Sequence, residues 1–251
     1  MKDFLYSLFI GLFGIAGLTS IAFLLMYVAQ SKQQAHLYSN LAAVREQDTQ
    51  QEILSQSSVQ PTSRNLYLEN SDMVGWIQIE GTSIDYPVMQ TPADPNYYLK
   101  HDFEKHYTDY GCPFMQADCD ALAPSDNLII YGHNMKDGSM FADLAKYRSK
   151  DFWQAHKTVR FDTALGGSAY EIFAVIHTTV QADAADAFLF YLFVDAASTE
   201  DFADCVSACK ARALYDTDIS AEYGDKLLTL STCDNITDNG RWLVIAKRIL
   251  Y

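Results

Sequence analysis

No charged residue lies between Phe4 and Val28, and that stretch is almost wholly apolar. At a rise of about 1.5 Å per residue, a helix over it is long enough to cross a bilayer. The run divides the chain before anything else is read: it has no place in a water-soluble core. A cleaved signal peptide would need a shorter apolar region and a small-x-small cleavage site, and Ala29-Gln30-Ser31 is a poor one. The expectation is an uncleaved signal-anchor over residues 1–30. Its orientation is weakly encoded, because Lys2 has Asp3 beside it and Lys32 follows the span.

Residues 31–65 read as a stalk, rich in Gln, Ser, Ala and Glu. The part through Ile53-Leu54 is compatible with a helix, and Ser55 to Arg64 has linker composition. Residues 66–251 remain for a globular domain. With 49% of the chain apolar, that domain can bury a sizeable core. The formal net charge of −14 argues against nucleic acid as a partner.

Short strand patterns dominate the domain. Val74 to Ile79 and Ile84 to Val88 flank the turn-prone Glu80-Gly81-Thr82-Ser83. Asn127 to Tyr131, Thr158 to Phe161, Ala169 to Thr178, Leu227 to Cys233 and Arg241 to Leu250 follow. Short helices are expected at Ser139 to Tyr147 and Asp151 to His156. A better one starts at Ser198 or Thr199, with cap and dipole support and an apolar stripe of Phe202, Val206 and Cys209. Many short strands with few long helices point to a mainly β, closed sheet, with barrel and sandwich both open. Gln181 to Ala221 is too long for a plain turn. Its aromatic run Phe188 to Phe193 reads either as a flap beside a site or as core.

Five cysteines are present: Cys112, Cys119, Cys205, Cys209 and Cys233. An odd count leaves one unpaired or paired between molecules. CxxC pairs are absent and no histidine is interleaved at ligand spacing, which disfavours zinc. No metal or organic cofactor is called for by the residues.

Two strand ends carry the chemistry. Thr229-Leu230-Ser231-Thr232-Cys233 ends on a thiol, and a short polar loop returns at Arg241. Asn127 to Tyr131 runs into Gly132-His133-Asn134. A thiol, an imidazole and a guanidinium at strand ends are the parts needed for acyl transfer through a thioester. Strand periodicity puts Thr229, Ser231 and Cys233 on one face, suited to a substrate groove. Leu228, Leu230 and Thr232 fall on the other, suited to a core. Among the other histidines, His36 lies in the stalk, His101 and His106 in a charged loop and His156 on a surface helix. His177, inside a strand, is the main competitor of His133. Arg248 is about 23 Å beyond Arg241 at strand rise, too far from the end where Cys233 sits. Ser231, Asn134 and Asp234 are candidate substrate-binding or supporting residues: Asn134 to orient the histidine, Asp234 to orient His133 or Arg241. Tyr131 reads as a wall rather than a catalyst.

These residues resemble the sortases, the cell-wall transpeptidases of Gram-positive bacteria. The TLSTC strand, the downstream arginine and the YGHN histidine carry the resemblance. Val74-Gly75-Trp76-Ile77, Ile84 to Val88, Tyr97-Tyr98-Leu99, Gly111 to Met115 and Gly138 to Phe141 look like class B blocks in class B order. The likeness covers roughly Asn70 to Tyr251. It implies an eight-stranded β-barrel, with the N-terminus inside the cell and the catalytic domain outside. It also implies that Cys233 is the nucleophile, His133 the general acid/base and Arg241 the donor to the substrate carbonyl. The implied partners are secreted proteins with a C-terminal sorting signal and a peptidoglycan amine that takes the acyl group. Two neighbouring activities stay open: pilin polymerisation, and release of the acyl group to water by a cysteine peptidase. A membrane-tethered binding module is the non-enzyme alternative.

Overall fold

The β-branched and aromatic runs of the domain form β1 (Met73–Gln78), β2 (Asp85–Met89), β3 (Phe114–Met115), β4 (Asn127–Tyr131), β5 (Thr158–Thr163), β6 (Gly166–Thr179), β7 (Leu227–Cys233) and β8 (Gly240–Arg248). They close into a barrel in the order β1-β2-β3-β4-β7-β8-β6-β5. This computed structural model describes residues 2–55, 64–181, 187–234 and 239–249. The closed eight-stranded barrel is the fold the family resemblance implied. Strand β3 was not foreseen, because two residues are too few to show a period.

Most neighbours are antiparallel, but β2–β3 and β4–β7 are parallel. A parallel pair cannot be joined by a hairpin and needs a long crossover. Residues 132–226, which include β5 and β6, supply it between β4 and β7. The register runs from Asn127↔Leu227 to Tyr131↔Ser231, so both strands end at the same rim. Strand β8 returns antiparallel to β7 and begins at that rim. The topology thus gathers three strand ends that are far apart in sequence.

The barrel interior is dry. Ile77, Val88, Leu128, Ile130, Phe161, Ile172, Leu228, Leu230 and Val244 are each at most 2% exposed. Full burial of each large aliphatic side chain stabilises by roughly 1.5–3 kcal/mol. As expected, the leucines of β7 point into this core.

The helices are α1 (Lys2–Ser55), α2 (Arg64–Glu69), α3 (Lys150–Ala155) and α4 (Thr199–Arg212). Ser198 Oγ accepts from Asp201 N at 3.1 Å and caps α4. Glu200 and Asp201 then suit the positive N-terminal end of its dipole. Ser149 caps α3 in the same way. The helix expected at Ser139 to Tyr147 is instead a 3-10 helix over Ala142–Arg148.

The chain forms two compact units, Met1–Asn40 and Leu41–Tyr251. The first holds the apolar part of α1, long and apolar enough to cross a membrane. In the second, the end of α1 belongs with the barrel. Arg45 Nη2 lies 2.5 Å from Asp162 Oδ2, and Nη1 lies 3.7 Å from Asp85 Oδ1. The guanidinium sits 5.3 Å from the Trp76 ring centroid. Asp48 accepts from Asn65 Nδ2 at 2.6 Å.

Candidate active site

Cys233 is the last residue of β7, and it opens onto a groove of about 610 Å3. Pro95, Leu99, Phe114, Ala117 and Tyr131 give the groove apolar walls, with Ser231, Thr232, His133, Arg241, Gln116 and Asp118 among its polar lining. Volume and lining suit a cleft for a peptide segment. Cys233 is partly exposed, whereas Cys112, Cys119 and Cys209 are buried, and none of the five cysteines is in a disulfide. Burial pushes the Cys119 thiol up to about 12, so it stays protonated and inert.

The hydroxyl face of β7 is only partly a groove wall. Thr229 is 2% exposed, and its Oγ1 donates to Asn127 Oδ1 at 2.9 Å. Asn127 in turn donates from Nδ2 to Phe193 O at 2.9 Å. The connection after β6 therefore lies across the start of that face and leaves its end open. The aromatic run sits behind the groove: Phe190 packs against Tyr131, with ring centroids 6.3 Å apart. Ser231 also lines the groove, and its buried Oγ has no hydrogen-bond partner among the described residues. Thr232, assigned to the core face, reaches the groove as well and donates from Oγ1 to Gly132 O at 2.7 Å.

His133 follows β4 on a tightly held loop. Gly132 N donates to Ser231 O at 3.1 Å, and Phe141 N donates to His133 O at 2.8 Å. A Cβ on Gly132 would meet the Phe141 ring at 2.5 Å, so the close approach requires glycine. His133 Nε2 lies 2.8 Å from Leu99 O. A carbonyl only accepts, so Nε2 carries the proton and Nδ1 is left as the basic atom. Leu99 closes the 3-10 helix Tyr97–Leu99 and lines the same groove.

Arg241 is the register partner of Cys233. Its Nη1 donates to Gly240 O at 2.9 Å, and among the described residues it makes no ion pair. One carbonyl fixes the planar group and leaves further N–H donors for a ligand.

The supporting residues sit differently from their expected places. Asn134 donates from Nδ2 to Cys233 O at 2.9 Å, so it ties the histidine loop to the thiol's strand. Asp234 meets neither His133 nor Arg241: its Oδ2 lies 2.8 Å from His177 Nε2. Strand alternation explains this, since Asp234 follows Cys233 onto the opposite face, where β6 brings His177. Gln116 was not singled out in the sequence. It donates from Nε2 to Tyr191 O at 2.9 Å and to Asp118 Oδ1 at 2.8 Å, while Tyr131 Oη donates to its Oε1. Burial holds the Tyr131 hydroxyl well above its ordinary titration range, in keeping with a wall.

Known proteins resemble this chain in sequence and fold. The Sortase domain family matches residues 77–249. Sortase B of Listeria monocytogenes is 39% identical over 188 residues, covering 74% of this chain and 73% of that protein. Sortase B of Staphylococcus aureus is 30% identical over 196 residues, covering 78% and 77%. A Staphylococcus aureus sortase B–substrate complex superposes with a TM-score of 0.78 at 29% identity, over 88% of this chain and 98% of that one. The Listeria monocytogenes structure gives a TM-score of 0.64 at 39% identity, over 73% and 98%.

Proposed function

Since the chain belongs to the sortase family of cysteine transpeptidases, within class B, we propose that Cys233, His133 and Arg241 together transfer secreted proteins to a cell-wall amine. The observation that carries the assignment is the convergence of the three side chains on one groove from three strand ends.

The reaction begins with an extended sorting signal in the groove. The Cys233 thiol passes its proton to His133 Nδ1, and Sγ attacks the carbonyl carbon of the scissile peptide. Charge develops on the carbonyl oxygen, and the Arg241 fork donates to it. The C–N bond breaks, and His133 gives the Nδ1 proton to the leaving amine while Nε2 keeps its own on the Leu99 carbonyl. A thioacyl enzyme remains. His133 then takes a proton from an incoming amine, which attacks the thioester and releases Cys233. The Leu99 carbonyl keeps the imidazole in one tautomer throughout. Asn134 holds the strand carbonyl behind the thiol, and the unpaired Ser231 hydroxyl offers a hydrogen bond to the substrate backbone. The N-terminal helix serves as a single-pass anchor, with the barrel outside the cell and peptidoglycan as the acceptor.

The test is amine capture. The full chain, incubated with sorting-signal peptides and an amine acceptor, should yield amide product in preference to the free acid. Exclusive release of the acid at saturating amine would make the protein a peptidase.

A further inference from the structure

The groove carries opposite charges at its two ends. Arg241 stands beside the thiol, and Asp118 is the one acid among the described residues that line the groove. Asp118 is exposed, but its carboxylate is held. Gln116 Nε2 donates to Asp118 Oδ1 at 2.8 Å and to Tyr191 O at 2.9 Å, while Tyr131 Oη donates to Gln116 Oε1. Gln90 Nε2 donates to the main chain on either side of Asp118, to Gln116 O at 2.8 Å and Cys119 O at 2.7 Å. The segment is thus tied to β4 through Tyr131 and to the 3-10 helix Phe190–Leu192. A carboxylate fixed in this way loses little side-chain freedom when it takes a ligand.

Register gives its distance from the thiol. Gln116 N donates to Ile129 O at 2.9 Å, so Gln116 is level with Ile129, and Ile129 pairs with Thr229. Thr229 lies four residues before Cys233 on β7, about 13 Å at strand rise. Phe193 O bonds Asn127 at the level where Asn127 holds Thr229, and Thr229 is absent from the groove lining. The groove therefore leaves β7 there and ends over Gln116, Ala117 and Asp118. Between the two ends sits Ser231, 1% exposed, whose Oγ has no partner among the described residues. His133 protonates the leaving amine, so the stretch of groove away from His133 holds the acyl half of the substrate. An extended chain bonded to the thiol and passing Ser231 reaches Asp118 at the fourth or fifth residue before the scissile bond.

We propose that Asp118 is a specificity-determining residue, selecting sorting signals that carry a basic side chain at that fourth or fifth position. A lysine or arginine there meets an anion already in place, and an acidic residue meets a like charge. Beside the thiol the preference is opposed by Arg241. The inference rests on the reading of this groove as the sorting-signal site.

The test uses N-acetylated hexapeptidyl chloromethyl ketones of alanine, with one lysine, glutamine or glutamate moved through each position. Cys233 Sγ bonds the methylene carbon and chloride leaves, so labelling needs neither an amine acceptor nor a known sorting motif. The full chain is labelled in a non-ionic detergent, and second-order rates at Cys233 are read by peptide mass mapping. Lysine should react roughly fivefold faster than glutamine at the fourth or fifth residue from the ketone, the effect of one charge pair in water, and glutamate should lose a similar factor. Salt at about 1 M should flatten the profile. Asp118→Asn keeps an acceptor for Gln116 and removes the charge, and it should level the profile. Asp118→Lys should make glutamate the preferred residue at the same position, and it decides the matter if Asp118→Asn unfolds in a thermal melt. A flat wild-type profile, a peak within two residues of the ketone, or a lysine peak that survives in a folded Asp118 variant overturns the proposal and leaves the sorting-signal groove standing. Failure of every reagent to label Cys233 would instead overturn the role given to Cys233, and this proposal with it.

Discussion

Cys233 and Arg241 face one another as register partners across β7 and β8. Directly opposed residues of an antiparallel pair have Cβ atoms about 4.5–5.5 Å apart. The ladder, not a flexible loop, therefore sets where the two side chains leave the backbone, and Gly240 O holds the guanidinium. Asn134 adds a third tie by bonding the Cys233 carbonyl.

Arg241→Lys should be severely impaired although the charge is kept. A planar fork fixed at Gly240 O can present several donors in one geometry, and an ammonium on a flexible stem cannot. Loss of one such donor costs on the order of 100- to 1000-fold in turnover. Single-turnover acylation by a sorting peptide measures it, with circular dichroism as the fold control. Near-wild-type acylation would remove Arg241 from the catalytic set.

His133→Ala should lose far more activity than His177→Ala. General acid–base catalysis contributes about 100- to 10,000-fold, and the Leu99 carbonyl commits His133 to one tautomer for that task. His177 bonds Asp234 and touches no reacting atom. Comparable losses in two folded variants would leave the assignment of His133 unsupported.

Gly132→Ala should destabilise the fold and lower activity together. The added methyl would meet Phe141, a fully buried ring, at 2.5 Å. Overpacking of this kind costs about 1–3 kcal/mol, and the displaced residue adjoins His133. A denaturant midpoint equal to wild type would show that the loop gives way freely.

A chain starting at Leu41 should melt higher than one starting at Asn65. The shorter chain loses Arg45 and leaves Asp162 only its 3.7 Å contact with Arg160. Because truncation also opens the carboxylate to solvent, the lost pair costs on the order of 1 kcal/mol. For a domain of this size that lowers the melting temperature by roughly 2–4 °C. Both chains keep the whole groove, from Pro95 to Arg241, so both should react with peptide when folded. Equal melting temperatures would show that the end of α1 adds nothing to the barrel.

What the sequence revealed was local, and what it hid was long-range. Seven strands were legible from period and turn residues, and the α4 cap from Ser198 and its acids. Cys233 and His133 were visible because each ends an apolar strand. The parallel pairing of β4 and β7, which brings those ends together, spans about a hundred residues and leaves no periodic trace. The two-residue β3 was too short to read. Linker composition in the stalk concealed Arg45, whose partner Asp162 lies in β5. The bond from Asp234 to His177 was not legible, because β6, which supplies His177, lies far away in sequence. The Leu99 carbonyl and Gln116 act through contacts that no local pattern marks, although Tyr97-Tyr98-Leu99 belongs to a block that carried the family likeness.

The central claim is that Cys233 forms a thioester with a sorting signal. Mass spectrometry of the intact protein, quenched in acid during turnover of sorting-signal peptides, tests it most directly. The account predicts an adduct whose mass is the N-terminal part of the peptide. That adduct should map to Cys233, be released by hydroxylamine and be absent from a folded Cys233→Ala variant. Peptide cleavage that persists in Cys233→Ala, or turnover with the acyl group on another residue, would contradict it.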